Sequence, residues 1–168
     1  MNQKNQQGWS RMNDPLKLGW REWCALPQLG LPAIKAKVDT GAKTSALHTF
    51  HIEPFEENGR AMVRFLVHPI QKNEDFQVQC IAPVKTQRMV TDSGGHEEMR
   101  YIIETQCQIQ NRCWLIEMSL TNRDSMRFRM LLGRRAMTSG VLVDPAASYI
   151  NGKLKAKLLY GLKKKSEI

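Results

Sequence analysis

Apolar and charged residues alternate most cleanly within the first third of the chain, over residues 33–38. Ile34, Ala36 and Val38 are interleaved with Lys35 and Lys37, a period of two that predicts a strand over residues 33–38 with one buried face. Comparable short runs at 18–24, 44–52, 61–67, 76–90, 99–109 and 113–120 predict further strands, and Met130-Leu131-Leu132 predicts a short buried one. Turn chemistry separates them. Asn58-Gly59 is a hairpin signal, and Asp92-Ser93-Gly94-Gly95 and Gln110-Asn111-Arg112 are polar turns. Gly133 ends the run at 130–132, and a brief helix is expected over 134–138, stopped by Gly140. Many short strands at close spacing predict an all-β fold, closed or partly closed.

The two ends read differently. Residues 1–15 form an expected disordered lead-in, residues 16–150 one domain, and residues 151–168 a basic tail. Leu154, Leu158 and Leu162 recur every four residues among six lysines, the spacing of an amphipathic helix that Gly152 and Gly161 weaken.

Composition narrows the class. A length of 168 residues with 42% hydrophobic side chains suits a single domain with a real core. No apolar run approaches the ~20 residues that cross a bilayer. Met1 to Trp9 lacks the apolar stretch of a secretory signal, so no membrane partner and a cytoplasmic location are expected. The four cysteines form no CxxC pair and read as reduced thiols. The net charge of +9 is uneven, with 14 basic and 13 acidic side chains over residues 1–119 against 11 and 3 over residues 120–168. A basic surface facing an acidic partner would follow, and a solvated lysine tail accounts for the same count.

One tripeptide carries chemistry. Asp39-Thr40-Gly41 follows the alternating strand, and Gly41 permits the sharp turn that would aim the carboxylate outward. Two such carboxylates facing each other share a proton, so one is neutral while the other draws a proton from water that attacks a peptide carbonyl. The chain offers one good candidate, so this chemistry would require two copies, with Thr40 hydroxyls available to meet across the paired loops.

Val38-Asp39-Thr40-Gly41-Ala42 resembles the retropepsin signature, and Leu131-Leu132-Gly133-Arg134 resembles that family's second element, an apolar run closed by Gly-Arg. The stretch from Lys35 to His48, with Met99-Arg100-Tyr101-Ile102-Ile103 and Arg129 to Arg134, is similar to the RimB-type retropepsin-like family, whose members are often labelled ATP-dependent zinc proteases. The resemblance runs from about Gly19 to Pro145. It implies an all-β, retropepsin-like closed β-barrel with one short C-terminal helix, active as a homodimer with one aspartate per subunit. It also implies partners: a RimK-type glutamate ligase, the ribosome, and a substrate that is an acidic peptide or a protein with a poly-glutamate tail.

There is a departure from the retropepsin pattern. Position 43, where retropepsins commonly carry an acid that pairs with the Gly-Arg arginine, holds Lys43. The expected substrate site is therefore cationic: Ala42, Lys43, Arg88, Arg100 and Arg134. Residues Asp92, Ser93, Gly94 and Gly95 are the expected flap. Asp92-Ser93-Gly94 also fits a looser catalytic pattern, but it lies too near Asp39 in sequence to belong to a second lobe. No cofactor or metal is expected. His48 and His51 are three apart and would point to opposite faces of a strand. No metal-binding helix motif and no glycine-rich phosphate loop occurs. The alternatives are a zinc-dependent protease or a non-catalytic basic module that docks on RNA or the ribosome. Trp20, Trp23 and Trp114 are expected in the core or at a dimer contact.

Overall fold

A computed structural model describes residues 14–122, 127–137 and 140–162. The described residues are all-β with one short α-helix. Its elements are β1 (Leu16–Leu18), β2 (Arg21–Leu26), β3 (Leu31–Asp39), β4 (Ser45–His48), β5 (Phe50–Glu57), β6 (Arg60–Val67), β7 (Val78–Pro83), β8 (Thr86–Thr91), β9 (Glu97–Ile109), β10 (Arg112–Thr121), β11 (Met130–Gly133), β12 (Val141–Val143) and α1 (Ala156–Leu159). Single 3-10 turns occupy Pro27–Leu29 and Arg134–Met137.

Seven strands form one sheet in the order β10-β4-β11-β3-β2-β9-β8, and a further β9–β10 pairing closes six of them into a ring. Alternation explains its interior. Ile34, Ala36, Val38, Leu47, Ile103, Met118, Leu120, Met130 and Leu132 are all buried, and each fully buried large side chain contributes about 1.5–3 kcal/mol. A second sheet, β5-β6-β7, adds Val63, Phe65, Val67, Cys80 and Ala82 to the same core. The Cys80 thiol donates to the Leu29 carbonyl at 3.2 Å and ties this sheet to the β2–β3 turn. The hairpin between β5 and β6 turns at Asn58 and Gly59, both with positive φ (51° and 76°), as its sequence demands. β1 pairs in parallel with β12, joining the two ends of the domain.

Several expected boundaries shift for reasons that are not local. The run at 18–24 is broken at Gly19 and Trp20, because Gly19 passes so near the chain that an added Cβ would lie 2.3 Å from the Ala147 carbonyl oxygen. The run at 44–52 is interrupted at Thr49, where the chain leaves the large sheet for the small one. Residues 76–90 split into β7 and β8 after Pro83. The expected helix at 134–138 is a 3-10 turn ending at Met137, with Thr138 outside the described residues. Among the described residues of the basic tail, which end at Leu162, only Ala156–Leu159 is helical; residues 163–168 lie outside the described part, as do residues 1–13 of the lead-in. The tail nonetheless packs on the domain. Asn151 donates through Nδ2 to the Lys17 carbonyl (2.8 Å) and to Glu22 Oε1 (3.1 Å), and the Tyr160 hydroxyl donates to the Ala33 carbonyl (2.6 Å).

Candidate active site

Asp39 is the last residue of β3, half-buried, and the chain turns immediately after it. Its Oδ1 accepts the Gly41 N–H at 2.9 Å and the Ala42 N–H at 3.2 Å, so one carboxylate oxygen is fixed by the backbone of its own loop. Gly41 is exposed, and a Cβ there would press on Asp39 Oδ1 at 3.2 Å. Thr40 and Lys43 are exposed and Ala42 is half-buried.

The second sequence element meets the first in space. β11 runs parallel to β3, with Gly133 opposite Asp39, and antiparallel to β4. Gly133 must be glycine: a Cβ would sit 2.6 Å from the Thr44 carbonyl carbon and 2.8 Å from the Ser45 nitrogen. Its N–H donates to Ser45 Oγ at 3.0 Å, and Ser119 Oγ donates to the Ser45 carbonyl at 3.1 Å. The backbone N–H of Arg134 donates to the Ala42 carbonyl (2.7 Å) and that of Arg135 to the Lys43 carbonyl (3.1 Å). Arg134 Nη1 reaches the Thr40 carbonyl at 2.9 Å. The arginine thus grips the aspartate loop through a main-chain oxygen, which resolves the missing acid at position 43: Lys43 stands aside and Arg134 needs no carboxylate to hold the turn.

Ser45 and Ser119 are the buttresses that pattern reading passed over. Both are polar residues buried within apolar runs, and a buried hydroxyl implies a partner. Periodicity marks such a position but names no partner for it.

The other expected site residues lie along the β8–β9 hairpin. Arg88 and Arg100 face each other across the two strands. Arg88 Nη1 pairs with Glu117 Oε2 at 3.2 Å, and the largely buried Arg100 pairs through Nε with Glu98 Oε2 at 3.1 Å. Lys85 joins the same group, contacting Glu104 and, at 2.9 Å, Glu117. Lys85 and then Arg88 hold the Glu117 carboxyl below its ordinary range against the opposing cost of burial. Lys43 takes part in none of the ion pairs among the described residues.

At the tip of that hairpin Asp92 Oδ1 accepts the N–H groups of Gly94 (2.8 Å) and His96 (3.0 Å), and the side chain is only 6% exposed. This carboxylate organises its own turn, with Ser93, Gly94 and Gly95 exposed around it. His48 is buried in β4 while His51 is exposed at the start of β5, and no group of three His, Cys, Asp or Glu gathers at metal-binding distance among the described residues. No helix among them is long and apolar enough to cross a membrane.

The match to known proteins follows the same geometry. The chain is 46% identical over 149 residues to a probable alpha-L-glutamate ligase of Shewanella pealeana, and 47% identical over 144 residues to one of Parasynechococcus marenigrum. It is covered to 87% and 86% in these alignments but spans only 32% and 31% of the relatives' length, about a third. A Legionella pneumophila protein of unknown function has a similar solved structure, with a TM-score of 0.67 at 25% identity, covering 81% of this chain and 98% of that one. The family profile described as retropepsin-like aspartic endopeptidase RimB matches residues 17–154, a span containing the Asp39 loop, its Gly133-Arg134 buttress and the β8–β9 hairpin. The chain belongs to the RimB-like family of retropepsin-like aspartic endopeptidases.

Proposed function

We propose that the protein is an aspartic endopeptidase in which Asp39 from each of two subunits shares one proton and activates water. The observation that carries this reading is the held loop. Asp39 Oδ1 is saturated by two backbone N–H groups, which leaves Oδ2 to face a second carboxylate and a water. The loop is braced from two sides, by Arg134 on the Thr40 carbonyl and by Gly133 packed on Thr44 and Ser45. A turn that served only to end a strand would not require that bracing. Thr40 and Gly41 hold the loop, and the β8–β9 hairpin with Asp92 to Gly95 at its tip closes over substrate.

The substrate class is an acidic peptide, and oligo-glutamate tails fit it best. Lys43 and Arg134 supply positive charge beside Asp39, and the chain as a whole carries +9, whereas Arg88 and Arg100 on the covering hairpin are already paired with Glu117 and Glu98 and would meet substrate only by exchanging those carboxylates. The relatives that contain this domain as about a third of their length are named as glutamate ligases. A hydrolase that removes what a ligase adds is the corresponding partner activity, and a RimK-type ligase or a ribosomal protein carrying the tail is the setting in which it would act.

The test is cleavage of a peptide bearing an oligo-glutamate tail by wild type and Asp39→Asn, each with and without a zinc chelator. Activity that survives chelation and disappears in Asp39→Asn is expected. Activity abolished by the chelator yet retained by Asp39→Asn would sink the aspartic mechanism in favour of a metal site.

A further inference from the structure

Trp20 and Trp23, expected in the core or at a dimer contact, are half-buried among cations on the outer face of β2 and β3. Across these strands Arg21 lies opposite Lys37 and Trp23 opposite Lys35. Tyr149, held at φ 53° by its N–H bond to the Arg21 carbonyl (2.9 Å), joins them from more than a hundred residues later. The Arg21 guanidinium sits 4.5 Å from the Trp20 ring centroid and 4.8 Å from that of Tyr149. Lys35 Nζ lies 5.2 Å from Trp23 and 5.8 Å from Tyr149, and Lys153 Nζ lies 5.8 Å from Tyr149 as well.

Each cation–π contact stabilises by only about 0.5–1 kcal/mol at such half-exposed sites. The arrangement still places four positive charges together, and none of them enters an ion pair among the described residues. A protein surface without a polyanionic partner ordinarily intersperses carboxylates in such a group.

The cluster is continuous with the candidate active site. Lys35, Lys37 and Asp39 alternate with the buried Ala36 and Val38, so all three share one face of β3. An extended peptide rises about 3.3 Å per residue, so Lys35 is roughly four residues, or about 13 Å, from Asp39 along the strand. Single-stranded RNA would need open ring faces for base stacking. Here guanidinium and ammonium groups already lie over those rings, which favours carboxylates over bases.

We propose that Arg21, Lys35 and Lys153, seated on Trp20, Trp23 and Tyr149, together with Lys37 opposite Arg21 on β3, form an accessory subsite for an acidic peptide. It engages carboxylates about four residues from the bond that Asp39 attacks, and this placement rests on the peptidase reading above. The subsite makes the enzyme sensitive to the length of an acidic tail, because a short tail reaches Asp39 without reaching the cluster.

Two measurements test it. The first is binding of α-linked octaglutamate to the Asp39→Asn chain, followed by calorimetry and tryptophan emission, with and without Arg21→Gln plus Lys35→Gln. Removing two exposed charge contacts should weaken binding roughly tenfold, added salt should weaken it further, and Arg21→Lys should recover part of the loss. The second is steady-state cleavage. The double variant should raise KM for a peptide with an eight-glutamate tail while leaving kcat, and all constants for a three-glutamate tail, unchanged. Thermal unfolding of the variants verifies that they fold.

Equal octaglutamate affinity in the double variant would overturn the subsite, and unchanged cleavage alongside it would leave the peptidase reading standing. Binding without cleavage in the wild type would retain the subsite as a docking surface and sink the peptidase reading. Tighter binding of oligouridylate than of octaglutamate would overturn the proposal in favour of an RNA-binding face.

Discussion

Gly133→Ala puts the bracing of the Asp39 loop to a direct test. The added methyl would lie 2.6 Å from the Thr44 carbonyl carbon and 2.8 Å from both the Thr44 oxygen and the Ser45 nitrogen. All three are backbone atoms, so no side chain can swing aside, and β4 or β11 must retreat by about 1 Å to reach ordinary contact distance. The retreat opens the Gly133 N–H bond to Ser45 Oγ, which is buried, at a cost of about 1–3 kcal/mol. Overpacking adds about 1–3 kcal/mol more. The sum is about 2–6 kcal/mol, which for a chain of this size lowers Tm on the order of 10 °C.

The assay is thermal or urea unfolding followed by tryptophan emission, paired with peptide cleavage. Gly41→Ala is the matched comparison, since its Cβ would meet only Asp39 Oδ1 at 3.2 Å. It should cost little stability yet displace the carboxylate and depress kcat. A Gly133→Ala protein within about 1 kcal/mol of wild type by this measurement, with normal cleavage, would refute the claim that this glycine is what lets β11 brace the loop.

Arg134→Met removes the bond to the Thr40 carbonyl from an exposed side chain, so stability should fall by less than about 1 kcal/mol while kcat falls at least several-fold; equal losses in both would argue for a purely structural arginine. Mixing wild type with an equal amount of Asp39→Asn and allowing subunits to exchange should leave about a quarter of the assemblies with two aspartates, with activity falling to match if the dyad spans a homodimer. A fall to only one half would mean each chain works alone. Alkaline stability follows from two groups. Burial pushes the Tyr160 hydroxyl up to about 12, and burial likewise pushes the Cys80 thiol up to about 12. Both are raised in the fold, so their stabilisation is present at neutral pH and is lost as pH rises from about 9 toward 12. Tyr160→Phe should flatten the upper part of that decline in urea midpoints measured against pH.

Much of this architecture is written in local pattern. The alternation at 33–38 yields β3 and buries Ile34, Ala36 and Val38, and the Asn58-Gly59 turn joins β5 to β6 as its composition requires. The Asp39 loop and the Gly133-Arg134 element are legible as motifs, and the structure sets them side by side. What resisted reading is long-range. A period of two states which face a residue occupies but not which strand arrives beside it, so the roles of Ser45 and Ser119 were hidden. Trp20 and Trp23 sit in strand-like segments and suggested the core or a dimer contact, because nothing near them in sequence announces Tyr149 and Lys153. The leucine spacing in the tail suggested a helix of several turns. Gly152 and Gly161, at φ 90° and 71°, confine it to one turn and leave Leu158 71% exposed.

The bonds that hold the aspartate loop have a kinetic consequence. Gly133 to Ser45 spans 88 residues of chain, and Arg134 to Thr40 spans 94. Closing loops of that length is slow and entropically costly, and such contacts form late, when most of a fold is already assembled. A nascent chain that has been synthesised past the Asp39 loop but not as far as Arg134 has the carboxylate and its local backbone bonds but none of the long-range bracing. On the proposed peptidase reading, Asp39 would act only once β11 has docked between β3 and β4, and a local opening that frees β11 would switch it off again. On that reading, the fold itself serves as the latch on the Asp39 loop.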